Sequence, residues 1–342
     1  LFAHELHEPH FRTGFARISF FTLRKSRIAL GKTKVPGLFA QTRQRCIGID
    51  ISQHAIKIVE LSRSQGRFKL QGYAMEPLPA GLMDDQTGAE AKSVVPVLVR
   101  ALEQAAVMAR DAIIAVPDGQ VICKTLEVEA GLSEVELELH VRLEAEQHIP
   151  CALDDMALDF EVLEHLSSQP GRVNVLMAAC RQEALEWQRS VLTGAGLIPC
   201  VVAVQSHALG RGVGAMTAGL ARDVAVAVVD GAACAGVLSI VQQGRVIYSR
   251  ELAGAHASKA TLVEHLQHEL ELFGPVGLIV LAGEAAVVPG LAQRVESRLG
   301  TPTRIANPFV QMDQAPALTP EALLCDAPLL LTAYGLALRG FD

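Results

Sequence analysis

Two aspartates, Asp50 and Asp230, each follow a short apolar run and precede a polar turn. Asp50 lies in CIGIDISQHAIKIVEL, residues 46–61, and Asp230 lies in DVAVAVVDGAACAGVLSI, residues 223–240. Runs of valine and isoleucine around a polar turn predict a half-buried hairpin of two strands. The aspartates are 180 positions apart (230 minus 50), which is about half the chain. This repeat predicts a duplicated fold with a cleft between its halves; the alternative is two unrelated buried hairpins.

This layout resembles that of the actin-like ATPases, in which two such hairpin turns close on the nucleotide phosphates from opposite sides. In such turns glycine allows backbone N–H groups to approach a phosphate closely, and hydroxyl and ammonium groups add donors. The resemblance implies these candidates for the nucleotide site: Asp50, Ser52, Gln53 and Lys57 at the first turn, and Asp230 and Gly231 at the second. In the alternative interpretation each aspartate only caps its turn, and Lys57 is a solvent-facing strand residue.

The composition limits the classes of function. A length of 342 residues suggests two domains, and half of the residues are hydrophobic, which allows a large core. The net charge of −7 divides into +7 for residues 1–45 and −14 for the rest. A net charge of −14 after residue 45 argues against nucleic-acid binding, because that binding depends on neutralising phosphates. The seven cysteines are scattered singly, which indicates neither a zinc site nor a disulfide framework and is typical of a reducing compartment.

Residues 1–34 differ from the rest of the chain because they are rich in arginine and phenylalanine and poor in acidic residues. We interpret them as a disordered or non-native extension, with a native start near Val35 or Leu38. A membrane-surface arm and a targeting segment are the alternatives. No run of 18 apolar residues occurs anywhere, so the sequence predicts no transmembrane helix.

The hydrophobic periodicity predicts alternating strands and helices after residue 45. Ser133 and Glu136 form a capping-box pattern at the start of one helix, and Pro150 limits its end. Further helices are predicted over residues 89–110, 182–195, 205–218 and 259–273, after residue 290, and near residues 329–338. Further strands are predicted over residues 67–75, 111–117, 121–128, 159–164, 172–179, 199–204, 245–251 and 277–282.

From about residue 46 to residue 342 the chain resembles the PilM family, the cytoplasmic actin-like components of type IV pilus assembly machines. The resemblance rests on IGIDISQHAIKIVELSRSQGRFKLQGYAMEPLP, KTLEVEAGLSEVELELHVRLEAEQHIP, LDFEVL, VLAGEAAVVPGLAQ, ANPFVQM and DAPLLLTAYGLALRGFD. Among actin-like proteins, the helix that ends in EAEQHIP and the final GLALRGFD are specific to this family. The two hairpins alone would fit FtsA or a sugar kinase equally well.

The resemblance implies an α/β, bilobal actin-like (RNase H-like) ATPase fold with an inserted small α+β domain, as in FtsA. The first lobe would comprise residues 35–129 and 181–222, the inserted domain residues 130–180, and a shortened second lobe residues 223–342. It also implies a cleft for ATP with magnesium, in which Gly283 and Glu284 lie at the adenosine side. A cytoplasmic location follows, at the inner membrane only through partners. The partners would be the N-terminal peptide of a PilN-like membrane protein and other pilus assembly proteins, and homo-oligomerisation stays open.

Several residues depart from the family's nucleotide-binding pattern. Gln53 and His54 replace small residues, Gly236 and Val237 stand where a threonine pair is expected, and Glu284 would face an anionic ligand. Residues 254–273 leave room for little more than one helix. These changes favour a scaffold with a degenerate cleft, in which ATP binding is weak or lost. An active actin-like ATPase is the alternative, and a small-molecule kinase would need an aspartate base that we cannot assign.

The partner peptide is expected to need an apolar groove with an acidic edge, because a short peptide docks by placing a few side chains in preformed pockets. The inserted domain offers apolar residues for the groove: Leu139, Val141, Leu143, Ile149 and Phe160. For the edge it offers Glu144, Glu146, Asp154 and Asp155. The alternatives are that the leucines fill the small domain's core and that the glutamates form a solvated helix face. A groove between the inserted domain and the first lobe's sheet is the next choice.

Overall fold

The computed structural model describes residues 45–79, 81–83, 90–163, 171–221, 223–231, 236–252 and 259–342. The predictions for residues 1–34 lie outside this range. The strands are β1 Arg45–Ile51, β2 Ala55–Ser64, β3 Arg67–Pro77, β4 Asp111–Val116, β5 Val121–Glu129, β6 Met156–Leu163, β7 Arg172–Arg181, β8 Ile198–Val204, β9 Val226–Gly231, β10 Gly236–Gln242, β11 Arg245–Leu252, β12 Leu278–Ala282, β13 Thr303–Ile305 and β14 Asp313–Gln314. The helices are α1 Ala91–Gln104, α2 Glu134–His148, α3 Gln182–Gly194, α4 Gln205–Met216, α5 Lys259–Phe273, α6 Gly283–Ala286, α7 Leu291–Leu299, α8 Pro320–Asp326 and α9 Leu331–Arg339.

Two sheets share one strand order and form the two lobes. The first sheet runs β14-β3-β2-β1-β4-β8, and the second runs β11-β10-β9-β12-β13. In each sheet, three strands that are consecutive in the chain pair antiparallel: β1, β2 and β3 in the first sheet, and β9, β10 and β11 in the second. Two later parallel strands extend each sheet on the other side of β1 or β9: β4 and β8 in the first sheet, and β12 and β13 in the second. β1 therefore corresponds to β9, and Asp50 corresponds to Asp230. The shared order confirms the predicted duplication and excludes two unrelated hairpins.

The helices cover the sheets on faces that the sequence pattern makes apolar. α1 and α3 pack on the outer face of the first sheet around Ile47, Ile49 and Val191, which are fully buried. α5 and α7 cover the second sheet around Leu266 and Val295. α1 ends at Gln104, earlier than the predicted end at residue 110, because Ala106 adopts a left-handed conformation that terminates the helix.

α4 and α9 lie between the two sheets, and almost every residue of α9 is buried. α9 crosses β1 so closely that a Cβ atom at Gly48 would overlap the backbone of Ala333 and Ala337. β14 adds to the first sheet beside β3. α9 and β14 both follow residue 223, yet both contact the first sheet. The expected assignment of residues 223–342 to the second lobe alone is therefore corrected. α9 corresponds to the last helix predicted near residues 329–338, and α8 is a separate short helix before it.

A third sheet of three strands, ordered β5-β7-β6, forms a small unit with α2. β5 pairs with β7 along its whole length. The small unit therefore begins near residue 121 rather than at residue 130, where the sequence analysis placed its start. The predicted capping box is present, since Ser133 Oγ accepts from the backbone N–H of Glu136 and the Glu136 carboxylate accepts from the Ser133 N–H.

Within the described ranges, no single helix is both long and apolar enough to span a membrane. One pair, residues Pro320–Leu329 and Leu331–Arg339, meets the length and composition criteria only when taken together, and it is bent by 87°.

Candidate functional site

The predicted cleft brings the first turn's aspartate and lysine together. Asp50 on β1 is opposite Lys57 on β2 in the antiparallel register, and this pairing places both side chains on one face. The Lys57 Nζ lies 3.7 Å from Asp50 Oδ2. Asp50 is 4% exposed, and the lysine side chain is 19% exposed. The contact is therefore a largely buried ion pair at the mouth of the first hairpin.

The second aspartate, Asp230, comes from the other lobe and lies within electrostatic range of Asp50 and Lys57. Asp230 is the last but one residue of β9 and pairs with Ala282 of β12, and its carboxylate lies against the backbone at the start of α6. Only a residue without a Cβ atom fits at Gly283, since a Cβ there would overlap Asp230 Oδ1, and Gly283 has φ +60°. Gly231 bridges to Gly283 in parallel fashion.

The electrostatics of Asp230 indicate that the two turns face one cleft. Burial raises the pKa of the Asp230 carboxyl, Lys57 opposes that increase, and the negative charges of Asp50 and Glu284 add to it. The Asp230 carboxyl therefore lies within electrostatic range of Lys57, Asp50 and Glu284, and Lys57 is the one cation of this group. Glu284 itself is exposed at the cleft edge. That these residues bind a nucleotide stays a prediction.

The donors of the first turn are partly used within the turn. The Ser52 N–H and hydroxyl both donate to the Ala55 carbonyl, and the Ala55 N–H donates to Ser52 Oγ. Gln53 and His54 are exposed, with the His54 carbonyl held by the Leu78 N–H. The corresponding second turn, residues 232–235, lies outside the described residues. Among the described residues, no group of three or more His, Cys, Asp or Glu side chains is arranged to hold a metal ion.

The predicted partner-binding residues divide between the surface and the core. Leu139 and Leu143 are 60% and 52% exposed on the outer side of α2, and Glu146 is exposed beside them. Val141 and Ile149 are buried in the core of the small unit, so their prediction as groove residues is wrong. The alternative that the leucines fill this core is also wrong, because Leu137, Val141 and Ala145 fill it instead.

Phe160 is partly buried and packs on the same core from β6, away from the outer side of α2. It is therefore not brought together with Leu139 and Leu143. The two aspartates Asp154 and Asp155, predicted at the acidic edge, lie in an exposed turn before β6.

A second charged cluster, which the sequence did not reveal, brings Glu161 of the small unit within electrostatic range of α4 and the end of α9. It contains Glu161 of β6, Arg211 of α4, and Arg339 and Asp342 at the end of the sequence. Glu161 is 8% exposed, which is unusual for a glutamate. The only sequence signal was indirect: Glu161 lies in LDFEVL and the other end of the cluster in GLALRGFD, two of the stretches that carried the resemblance.

Comparison with known proteins supports the fold as a whole. A solved structure described as a PilM-PilN type IV pilus biogenesis complex matches with a TM-score of 0.73 at 26% identity, covering 88% of this chain and 99% of that chain. Two more distant structures match at TM-scores below 0.5. They are the ethanolamine utilization protein EutJ from Carboxydothermus hydrogenoformans (0.48, 12% identity, 88% of this chain and 90% of that chain) and a protein with actin-like ATPase fold from Bacteroides thetaiotaomicron (0.44, 10% identity, 79% and 93%).

A family model described as type IV pilus assembly protein PilM matches residues 48–272 and 259–341, which together cover nearly all of the described chain. The bilobal arrangement of two like sheets with a small α+β unit agrees with this match. The chain belongs to the PilM family of type IV pilus assembly proteins.

Proposed function

We propose that this protein is a scaffold of type IV pilus assembly that docks the N-terminal cytoplasmic peptide of a PilN-like inner-membrane protein on the outer side of α2. In this proposal the protein is cytoplasmic, reaches the inner membrane only through its partner, and has a degenerate nucleotide cleft. The observation that carries the proposal is a stripe of three exposed apolar side chains on α2, Val135, Leu139 and Leu143. We call these residues the α2 stripe.

The α2 stripe has the geometry of a docking surface. Its residues are four apart, so they lie one above another on the helix face opposite the core residues Leu137 and Val141. Full burial of one leucine side chain is worth about 1.5–3 kcal/mol, so two or three anchors would supply most of the energy of a short peptide's binding. Three apolar residues left in water on one helix face are typical of a surface that a partner covers.

The charges beside the α2 stripe favour a basic peptide. Glu138 and Glu146 lie in the neighbouring row on one side, and Glu136 and Glu144 lie on the other. Only Arg142, which is 3.9 Å from Glu138, interrupts the first row with a positive charge. Rim charges of this kind mainly increase the association rate and the salt dependence of binding. The solved PilM-PilN complex supports a PilN-like partner, because it matches 88% of this chain.

The arrangement of the cleft supports a degenerate nucleotide site. Lys57 is paired with Asp50, and the Ser52 donors are used within their own turn. Three carboxylates in one cleft disfavour the polyphosphate unless a metal ion neutralises them. The second candidate function is an active ATPase, which the convergence of both turns on one cleft favours.

Peptide binding provides the first test. A synthetic peptide from the N-terminus of the PilN-like protein is titrated by fluorescence anisotropy at low salt against the parent, Leu139→Ala and Glu146→Lys. We expect Leu139→Ala to weaken binding roughly tenfold and Glu146→Lys to weaken it severalfold. The control is Glu296→Lys on the exposed face of α7, which reverses the same charge far from the α2 stripe. Equal affinity for all four proteins would remove α2 from the site.

Nucleotide binding provides the second test. A fluorescent ATP analogue is titrated with magnesium, and phosphate release is followed in the same samples. We expect weak binding and no steady phosphate release. Micromolar binding with continuous phosphate release would refute the degenerate cleft and establish the ATPase instead.

A further inference from the structure

Three distant parts of the chain contribute to one largely buried charged cluster, which we call the junction. β6 of the small unit contributes Glu161, α4 contributes Arg211, and the segment 340–342 after α9 contributes Asp342 next to Arg339. The segment also packs on the first lobe, since the rings of Phe341 and Phe68 meet edge to face at 5.2 Å. At the junction, Glu161 of the small unit therefore lies within electrostatic range of charged residues of the body of the protein.

Asp342 forms ion pairs with both Arg211 and Arg339. Its Oδ2 lies 2.7 Å from an Arg211 guanidinium nitrogen and 2.8 Å from one of Arg339. The side chains are 20%, 9% and 19% exposed for Arg211, Arg339 and Asp342, so solvent screens these pairs little. One carboxylate thus forms ion pairs with two guanidinium groups, one from α4 and one from α9.

Glu161 lies within electrostatic range of the same arginines but pairs with neither. Both of its carboxylate oxygens are buried and accept no hydrogen bond from the residues that the structure describes. Burial raises the pKa of this carboxyl to about 7, and the positive charges of Arg245, Arg339 and Arg211 limit the increase. A buried group without a partner is costly, and in native proteins it is kept for a reason. The nearby cations include Arg211 and Arg339, both of which pair with Asp342.

We propose that Glu161 and Asp342 are alternative partners of Arg211 and Arg339, so that ionised Glu161 draws the arginines away from Asp342 and releases the segment 340–342. Neutral Glu161 does not attract the arginines, and the segment stays bound. In this proposal each guanidinium group turns toward one carboxylate or the other. The proposal depends on the junction alone and not on which partner binds α2.

The other charged groups at the junction do not titrate in the same way. His207 of α4 stays neutral, because burial and the charges of Arg245 and Arg211 lower its pKa to about 4. Asp159, on the same strand as Glu161, adds a negative charge that raises the Glu161 pKa slightly. Arg245 of β11 carries a fixed positive charge beside both Glu161 and His207. Of the junction's described groups, Glu161 is therefore the one whose charge changes near neutral pH.

The proposal predicts that the two carboxylates are coupled reciprocally. In full-length protein with 13C-labelled glutamate side chains, the Glu161 signal is identified by its loss in Glu161→Gln and is titrated by NMR. We expect Asp342→Asn to lower the Glu161 pKa by about one unit or more, because it frees two positive charges. Glu321→Gln, an exposed change on α8, serves as the control and leaves the titration unchanged.

A second measurement follows the segment itself. Hydrogen exchange of the Gly340 and Phe341 amides, corrected for the intrinsic rate, should accelerate roughly tenfold between about pH 6 and pH 8 in the parent. Glu161→Gln should abolish this acceleration while the protein remains folded. If the acceleration persists in Glu161→Gln, or if the Glu161 pKa is the same with and without the Asp342 carboxylate, the proposal is overturned.

Discussion

The ion pair between Asp50 and Lys57 predicts that Lys57→Met lowers the free energy of unfolding. The substitution keeps the length of the side chain and removes the ammonium group that lies 3.7 Å from Asp50. Asp50 is 4% exposed, and Asp230 and Glu284 are part of the same environment. The variant would therefore leave buried negative charges without their counter-ion.

Removal of one partner of a buried ion pair costs about 3–5 kcal/mol. Because the Lys57 side chain is 19% exposed, water reaches the site in part, and we expect a loss of about 2 kcal/mol in the free energy of unfolding. The measurement is urea unfolding followed by circular dichroism at pH 8. Lys92→Met, an exposed change on α1, should alter stability by less than about 0.5 kcal/mol.

A double variant separates the ion pair from simple packing. Asp50→Asn combined with Lys57→Met removes both charges, so its loss should be clearly smaller than the sum of the two single losses. If the single losses add, or if Lys57→Met costs no more than Lys92→Met, then the cleft is not held by this pair and the reasoning fails.

Three further predictions concern other parts of the protein. The raised pKa of Glu161, from its ordinary value of 4.5 to about 7, corresponds to at most about 3 kcal/mol of stability that is present below pH 4.5 and lost as the pH rises through 7. Urea unfolding should therefore show Glu161→Gln more stable than the parent at pH 8 and close to it at pH 5; an equal difference at both would contradict this. Gly48→Ala should cost about 3 kcal/mol, because its Cβ would overlap the α9 backbone, whereas Gly119→Ala, in open space, should unfold like the parent. Ser133→Ala should cost about 1 kcal/mol by loss of the α2 cap, and unchanged hydrogen exchange along α2 would count against that role.

The duplicated lobes could be predicted because their signal is local and occurs twice. Asp50 and Asp230 each lie one residue before the end of a buried strand, and the strand–turn–strand pattern around them depends on neighbouring residues alone. The same holds for α2, whose start is fixed by the Ser133 cap. Periodicity also predicted a helix over residues 259–273, and the structure places α5 at the same bounds.

The buried side of α2 could not be predicted, because the helix carries two apolar rows. Leu137, Val141 and Ala145 repeat at four-residue spacing, and the α2 stripe repeats at the same spacing two residues earlier. Periodicity identifies both rows as helical but does not say which one meets the sheet. The choice is made by β5, β6 and β7, which supply the rest of the core.

The position of the last elements of the chain depends on contacts that no local pattern encodes. β14 is only two residues long, and it joins the first sheet through β3, which lies far away in the sequence. The composition of α9 predicts a buried helix, but its crossing of β1 is specified by the missing side chain of Gly48 and the small residues Ala333 and Ala337. A glycine in a strand marks a close approach without identifying the partner.

The two proposed sites lie on opposite faces of the small unit's sheet, and the alternation along β6 separates them. Phe160 packs toward α2 and its core, whereas the next residue, Glu161, faces the arginines of the junction. Successive side chains of a strand point to opposite faces, so one sheet lies between the α2 stripe and the junction. A partner on the proposed docking surface of α2 would therefore not contact Glu161. The α2 stripe and the junction can be changed by substitution independently of each other, because the sheet β5-β7-β6 separates them.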